Sequence, residues 1–432
     1  MRIHMICIGS TGDVRPYLVL GRELKARGHE ITICAFREFE SAAHKEGFHF
    51  SPINADVRAL MANLMNGSTG VGFLKQVRDS LVDIIDPFLA DLEAGCEGAE
   101  ALIGTYLGQV FYSLAEVRHI PFIQTHYFPM DKNAEAPISS APGQRAGKAW
   151  KLASYQIGYL LISAMEKYYL ADWRAAKGMS PRKLEGKPRY DLNGHTVPVL
   201  YAMSPLVMPR PAHWGENIHM TGYWLDKSYS NFQPSEELKA FLANGEKPIY
   251  IGFGSMCSGD MDDTLQIVLD AVKQSGVRAV LSSGWGGVEI PKRDDICAAD
   301  FVPHDWLFRQ VGAVVHHGGA GTTAAGIQAG CPTLVIPFGG DQPFWAARVE
   351  DLNVGPKAIP RDKLTVNRLS KALVDLTTTK KYRVAARELG ERLQLENGAV
   401  IAANIIEHEL RKWLREEGHE PVIVQEKLSA SC

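Results

Sequence analysis

The segment Val314-Val-His-His-Gly-Gly-Ala-Gly-Thr-Thr-Ala-Ala325 carries an apolar run into two histidines, a glycine pair and a stretch of small residues. A strand that passes through a glycine turn into a helix leaves the first helical N–H groups without partners. Those groups are donors to an anion, and the glycines let a phosphate approach the main chain. His317 at the strand end can donate to a phosphate oxygen, and the Thr322 hydroxyl can add a second bond. The plainer alternative is a glycine turn packed for its own sake with the histidine satisfied in the core. Adjacent glycines, two hydroxyls and a histidine at one junction favour the phosphate.

Further along, Asp341-Gln342 follows Pro337-Phe-Gly-Gly340. A carboxylate beside a carboxamide suits the vicinal hydroxyls of a hexose, whereas a turn capping the helix at Pro343 is the structural alternative. Phe253-Gly254-Ser255-Met256 ends another strand, so that Ser255 can reach the same phosphates. Ser282-Ser-Gly-Trp-Gly-Gly287 places Trp285 where it can support a base or ribose. Asp260-Met-Asp262 has the spacing by which some sugar transferases hold a divalent metal. It lies just before a helix expected near Thr264, so capping is the better reading and no metal is expected. A rival reading is a dinucleotide site, because Gly319-Ala-Gly321-Thr-Thr-Ala324 fits G-x-G-x-x-A and Asp341 lies 20 residues past Gly321. The acid should end the next strand, and Pro337–Gly340 intervenes, which weakens nicotinamide chemistry.

These groups need elements to position them. Ile3, Met5, Cys7 and Ile8 predict a short buried strand, Gly9 to Asp13 a tight turn, and Pro16 the first turn of a helix running through Leu18, Leu20 and Leu24 to Gly28. Strand patterns recur at Glu30–Phe36, Ala101–Gly104 and Pro121–Thr125. The same grammar restarts at Lys247–Gly254 and continues at Arg278–Leu281, Ala313–His316 and Thr333–Ile336. Strands alternating with helices predict an α/β chain of two Rossmann-like, doubly wound parallel-sheet domains facing an interdomain cleft. The expected division is 1–222, a linker at 223–240, 241–398, a helix at 399–416 packing back toward the first domain, and a polar tail at 417–432.

The chain has 432 residues, 46% of them hydrophobic, and 46 Lys+Arg against 49 Asp+Glu. A net charge of −3 argues against a nucleic-acid binder. Seven dispersed cysteines argue against a disulfide scaffold or structural zinc and for a reducing compartment. With no signal peptide expected, and the apolar run Ile157–Met165 about half the length of a span, the protein is expected to be cytoplasmic. Residues 143–189 hold ten Lys/Arg and three Asp/Glu, interleaved with Trp150, Tyr155, Tyr159, Tyr168, Tyr169 and Trp173. The aromatics are either core beneath a solvated basic face or part of a surface facing a membrane or acceptor.

Taken together, VPHDWLF at 302–308, HHGGAGTT at 316–323 and PFGGDQPFWA at 337–346 resemble the donor site of GT-B glycosyltransferases of the family 1/28 type. The opening GSTGDVRPYLVLGREL at 9–24 is similar to the same group's first loop. The likeness is nearest to sterol 3-beta-glucosyltransferases and to bacterial transferases that glycosylate antibiotic aglycones; residues 55 to 215 carry no recognised motif. The resemblance implies that Ser10, Thr11, Gly12 and Asp13 reach a nucleotide sugar from the first domain. Val302 and His304 would hold the uracil or ribose, with Trp285 nearby. His317, Gly319, Ala320, Gly321 and Thr322 would hold the diphosphate, with Ser255, and Asp341 and Gln342 the sugar. Plant small-molecule transferases carry His in place of Asp13 and Glu in place of Ala325. This chain has neither, so a carboxylate base is expected and ribose recognition must differ. Thr11 stands where sterol enzymes usually have Arg.

The implied reaction is an inverting, metal-independent transfer of a hexose, with glucose expected, from a UDP-sugar to an acceptor hydroxyl. Asp13, expected on a loop and kept ionised by a helix N-terminus, is the base. The helix beginning near Gly318 offsets the charge of the departing diphosphate. No cofactor is expected, since the UDP-sugar is a co-substrate. Tyr106, Phe111, Tyr112, His126, Tyr127, Phe128 and the 150–173 stretch suggest a lipophilic or aromatic acceptor such as a sterol, polyketide, macrolactone or flavonoid. The alternatives on the same fold are a nucleotide-sugar hydrolase or epimerase, or a non-catalytic nucleotide-sugar-binding protein.

Overall fold

The computed structural model describes residues 1–54, 84–105, 110–139, 141–226, 232–254, 261–282, 290–299 and 302–418. Ser255, Trp285, Asp260, Tyr106 and most of the polar tail lie outside the described residues.

The first half opens with β1 (Arg2–Ile6), α1 (Thr11–Ala26) and β2 (Glu30–Phe36), followed by α2 (Glu40–Lys45) and β3 (His49–Ile53). It continues through α3 (Ile85–Gly95), β4 (Ala101–Thr105), α4 (Val110–Arg118) and β5 (Phe122–His126). Two helices follow, α5 (Lys148–Tyr169) and α6 (Ala171–Ala176), then a small hairpin of β6 (Asp191–Leu192) and β7 (His195–Thr196), and finally β8 (Val199–Tyr201) and β9 (Ile218–Met220). The main sheet runs β3-β2-β1-β4-β5-β8-β9 with every pair parallel. Ile3, Met5 and Ile6 are buried on both faces, as a parallel sheet covered by helices requires.

The second half begins with α7 (Glu236–Ala243), β10 (Ile249–Gly252), α8 (Met261–Ser275), β11 (Ala279–Ser282) and β12 (Ile296–Ala299). After α9 (His304–Leu307) come β13 (Ala313–His316), α10 (Ala320–Gln328), β14 (Thr333–Val335) and α11 (Gln342–Asp351). The chain closes with α12 (Val366–Thr378), α13 (Lys380–Gln394) and α14 (Gly398–Glu416). Its sheet, β12-β11-β10-β13-β14, is again all parallel. The expectation of two doubly wound sheets holds. In each sheet the strand order reverses beside the first strand, between β1 and β4 and between β10 and β13. A crevice opens at the carboxyl ends of strands at such a reversal.

Two details depart from the reading of the sequence. Helix α1 starts at Thr11, so Thr11, Gly12 and Asp13 lie in its first turn and not on a loop. Ser10 is the N-cap, and its reciprocal bonds with Asp13 explain the early start. Pro16 accordingly falls in the second turn, where its missing N–H removes one helix bond.

The halves are tied at several points. Helix α14 lays Ala402, Ala403, Ile406, Leu410 and Trp413 into the first domain's core. Its end is held by His195, which bonds Glu416 and Glu417 at 2.7 Å each and lies over the Trp413 ring. Arg145 grips Glu350 at 2.9 Å and Asp351 at 2.5 Å, at the far end of α11. Among the described residues no helix is long and apolar enough to cross a membrane.

The outgoing chain at Gly222–Tyr223 and the returning chain at Gly398 are packed backbone on backbone. A Cβ at Gly398 would stand 2.4 Å from the Tyr223 carbonyl oxygen. Gly398→Ala is therefore expected to destabilise the protein by about 1–3 kcal/mol. Thermal unfolding measures this directly, and an unchanged midpoint would refute the close crossing.

Candidate functional site

Three strand ends converge on the crevice. From β1 the chain passes Cys7 and Ile8 to Gly9, whose φ of 138° only glycine adopts readily. The position is closed to a side chain in any case, because a Cβ there would lie 2.3 Å from Asp13 Oδ2. Asp13 Oδ2 accepts from the Ser10 N–H at 2.7 Å and the Ser10 hydroxyl at 3.1 Å. Beneath the helix, the Tyr127 hydroxyl donates to the Asp13 carbonyl at 3.0 Å, and Tyr17 bonds Thr125 at 2.6 Å. Asp13 is thus fixed from both sides. Burial pushes its carboxyl above the usual range, while the Ser10 bonds hold it down. The net direction is upward, so desolvation outweighs the Ser10 bonds that favour the ionised form.

From β13 the chain passes His316 and His317 to Gly318, at φ 97°, and Gly319, the N-cap of α10. No side chain caps this helix, in contrast to α1. Its opening residues, Ala320, Gly321 and Thr322, are part-buried, and a Cβ on Gly321 would meet nothing within 4 Å. The turn has this shape because His316 Nδ1 accepts from the Gly318 N–H at 2.9 Å, and because Gly318 packs too closely on Val335 and Gln342 to carry a side chain. His317 lies over Gly319 on one side and beside Gly254, which follows β10, on the other. Its Nδ1 is buried without a hydrogen-bond partner among the described residues. Burial lowers its pKa to about 4, so the ring is neutral at neutral pH and donates from one nitrogen.

His304 opens α9, stacked on Phe308 with ring centroids 4.5 Å apart and edge-on to Tyr250. Burial lowers its pKa to about 3, and the charges of Arg15 and His317 act in the same direction. Val302, partly buried, packs against the same cluster as Phe308. Arg15 comes from α1 in the first domain, so the crevice is shared by both halves. Ala320 packs against core residues of both, and α1 meets α10 across the divide.

Asp341 is the N-cap residue of α11. Its Oδ2 accepts from Trp345 Nε1 at 2.8 Å. Burial raises its pKa to about 7, opposed by the Trp345 bond, and the nearby charge of Asp13 pushes it further up. Two carboxylates from opposite domains therefore sense each other. Gln342 is placed differently from its neighbour. It is 2% exposed, and its Oε1 accepts from the N–H groups of Phe338 at 2.6 Å and Gly339 at 3.2 Å. That oxygen braces the Pro337–Gly340 turn.

The structure thus gathers Ser10, Thr11, Gly12, Asp13, Val302, His304, His317, Gly319, Ala320, Gly321, Thr322 and Asp341 around one crevice. Phe111, Tyr112 and His126 are buried in the first domain, Phe111 packed against Gly104. They are core residues of that domain. Sequence reasoning missed the parts played by Arg15, His316 and Trp345, and it named Tyr127 only among the aromatics of a possible acceptor surface, not as the residue that holds the Asp13 carbonyl. Trp345 could have been found, since it sits one helical turn after Asp341. Among the described residues no group of three or more His, Cys, Asp or Glu is arranged to hold a metal ion.

Comparison with known proteins accords with this architecture. Residues 3–137 match the glycosyltransferase family 28 N-terminal domain, and residues 259–404 match the erythromycin biosynthesis protein CIII-like C-terminal domain. A sterol 3-beta-glucosyltransferase of Neurospora crassa is 35% identical over 431 residues, covering 95% of this chain and 27% of that protein. One of Aspergillus oryzae is 34% identical over 426 residues, covering 95% and 30% respectively. The chain therefore spans less than a third of the length of these curated relatives. Among solved structures, the glycotransferase of kitacinnamycin superposes with a TM-score of 0.69 at 21% identity, over 95% of this chain and 99% of that one. The calicheamicin glycosyltransferase CalG4 does so with a TM-score of 0.64 at 16% identity, over 95% and 98%. Both share the fold. With matched domains on either side of one shared crevice, the chain has the GT-B fold and joins a glycosyltransferase family 28 N-terminal domain to an EryCIII-like C-terminal domain.

Proposed function

We propose that this chain is an inverting glycosyltransferase that moves a hexose, glucose by preference, from a UDP-sugar to a hydroxyl of a lipophilic, sterol-like acceptor. The observation that carries this reading is the meeting of Asp13, on the first turn of α1, with the uncapped N-terminus of α10 and Asp341 across one crevice.

An acceptor hydroxyl is a poor nucleophile at neutral pH and needs a base in hydrogen-bond reach as the new bond forms. Asp13 is rigidly held, and its carboxyl is raised by burial toward the range in which a base works best. The acceptor oxygen attacks the anomeric carbon, its proton passes to Asp13, and the bond to the diphosphate breaks on the opposite face. The departing diphosphate gains negative charge, which the first N–H groups of α10, the Thr322 hydroxyl and neutral His317 can meet without a metal ion. Trp345 keeps Asp341 aimed at the crevice, where its carboxylate accepts from sugar hydroxyls. A crevice built from two domains aligns donor and acceptor and excludes the water that would hydrolyse the sugar.

The sterol preference is supported by the sterol 3-beta-glucosyltransferase relatives. A reducing, cytoplasmic setting belongs to the same reading. The five described cysteines, Cys7, Cys34, Cys96, Cys297 and Cys331, are all unpaired and buried. So does peripheral membrane contact through residues 143–189, since lipophilic acceptors reside in bilayers.

With chelator present throughout, wild type is expected to transfer sugar. Asp13→Asn keeps an acceptor for the Ser10 N–H, so it should bind UDP as wild type does yet lose transfer by roughly a hundredfold or more. Undiminished transfer removes Asp13 from the role, and UDP release that needs no acceptor would instead indicate a hydrolase. His317→Ala should weaken UDP binding by about 1–3 kcal/mol in calorimetry; equal affinity would contradict the phosphate assignment. Trp345→Phe removes the bond that lowers the Asp341 pKa, so its carboxyl should titrate at higher pH than in wild type. Carboxyl-carbon NMR reads that midpoint, and a fall would show that Trp345 does not stabilise the ionised form.

A further inference from the structure

We propose that the outward face of α5, with the Leu184 loop beside it, docks the protein on an anionic lipid bilayer. This goes beyond glycosyl transfer and uses none of the residues of the crevice; it gives the membrane contact a defined face.

Trp150, Ile157, Leu161 and Tyr168 recur at intervals of seven, four and seven, which places them on one side of a helix. They are 40%, 49%, 44% and 63% exposed, and Leu160 between them is 42% exposed. The other exposed positions of α5 are alanines, Gln156 and two lysines. Leu184, 55% exposed, extends the patch. Its loop lies against the helix, for the Glu185 N–H donates to Ser163 Oγ at 2.8 Å and a Cβ on Gly186 would be 3.4 Å from Leu160 Cγ. Six of the ten large hydrophobic side chains that stand exposed among the described residues therefore sit in this one place.

The opposite side fixes the orientation. Tyr155 and Tyr159 are buried, and Tyr155 accepts from Asn133 Nδ2 at 2.6 Å. Glu166, the one acid of α5, is on that buried side at 3% exposure. The charges around the apolar face are positive: Lys148 and Lys167 near its two ends, Lys183 and Lys187 on the adjoining loop. Glu185 is paired with Arg189 at 3.0 Å, and the exposed Asp172 belongs to α6.

An apolar stripe with Trp and Tyr near its ends and lysines along its border matches a bilayer interface, where the rings sit at headgroup level and the cations meet anionic lipid. Such a helix lies in the surface with its face sunk about 5–10 Å and does not span. A second copy fits less well, because apposing two such faces brings like charges together.

The test is co-sedimentation with vesicles of phosphatidylcholine, with and without phosphatidylserine. Wild type should pellet with the mixed vesicles, more weakly as salt rises. Ile157→Glu/Leu161→Glu should partition roughly tenfold less or worse, with its melting temperature and UDP affinity unchanged. Should that variant melt early, Lys183→Glu/Lys187→Glu, confined to the loop, must still lose the preference for phosphatidylserine. Wild type ignoring both vesicles, binding both alike, or binding undiminished in the variants overturns the proposal. Concentration-dependent dimers that Ile157→Glu/Leu161→Glu dissolves, with vesicles ignored, would assign the face to a second copy instead.

Discussion

The crevice depends on the unequal treatment of two helix N-termini. Each helix start leaves N–H groups that a folded protein must satisfy from a side chain, solvent or a ligand. Helix α1 satisfies its own, through the reciprocal bonds of Ser10 and Asp13. Helix α10, begun by Gly319, has no side-chain cap at all. The first arrangement immobilises a carboxylate; the second leaves donors for an anion. Bringing one of each to the same crevice places a fixed carboxylate opposite open N–H donors, the arrangement on which the proposed transfer relies.

Burial then tunes the polar groups, and in opposite directions for acids and imidazoles, because a low-polarity setting disfavours whichever form is charged. His304, His316 and His317 are held neutral, while Asp13 and Asp341 are pushed up. A neutral His317 offers one N–H donor to the crevice without adding a fixed cation. Two acids that repel one another across the crevice favour the presence of whatever neutralises or hydrogen-bonds them.

The same chain connects the crevice to the outer surface. Helix α11 begins beside Asp341 and ends at Asp351, which with Glu350 holds Arg145, three residues before α5. The helix proposed to meet lipid and the helix that Asp341 opens at the crevice are thus joined through one ion-pair cluster. Because Arg145 is exposed, those pairs orient the segment more than they stabilise it.

Much of this was legible in the residues themselves. Apolar runs such as Glu30–Phe36 and Ala313–His316 stand where strands do, and the doubly wound order follows from strands alternating with helices, since parallel neighbours require crossovers. The glycine turn after His317 suggested an anion site because its glycines leave the main chain open to close approach at a helix N-terminus. What local pattern could not decide was which side of an element faces inward. Helix α5 is apolar nearly all round, so its period alone gave no reason to bury Tyr155 and expose Trp150; Asn133, which donates to Tyr155, and the Ile138 N–H, which donates to Ser154, made that choice. Nor could adjacency separate Asp341 from Gln342. One faces the crevice and the other braces a turn because Trp345 and the Phe338–Gly339 backbone, folded around them, each claim one side chain. Types and spacing determined which chemistry was available. Tertiary packing decided which groups remained open to use it, because a group whose bonding capacity is spent within the fold, or which is packed away from the crevice, has none left for a substrate.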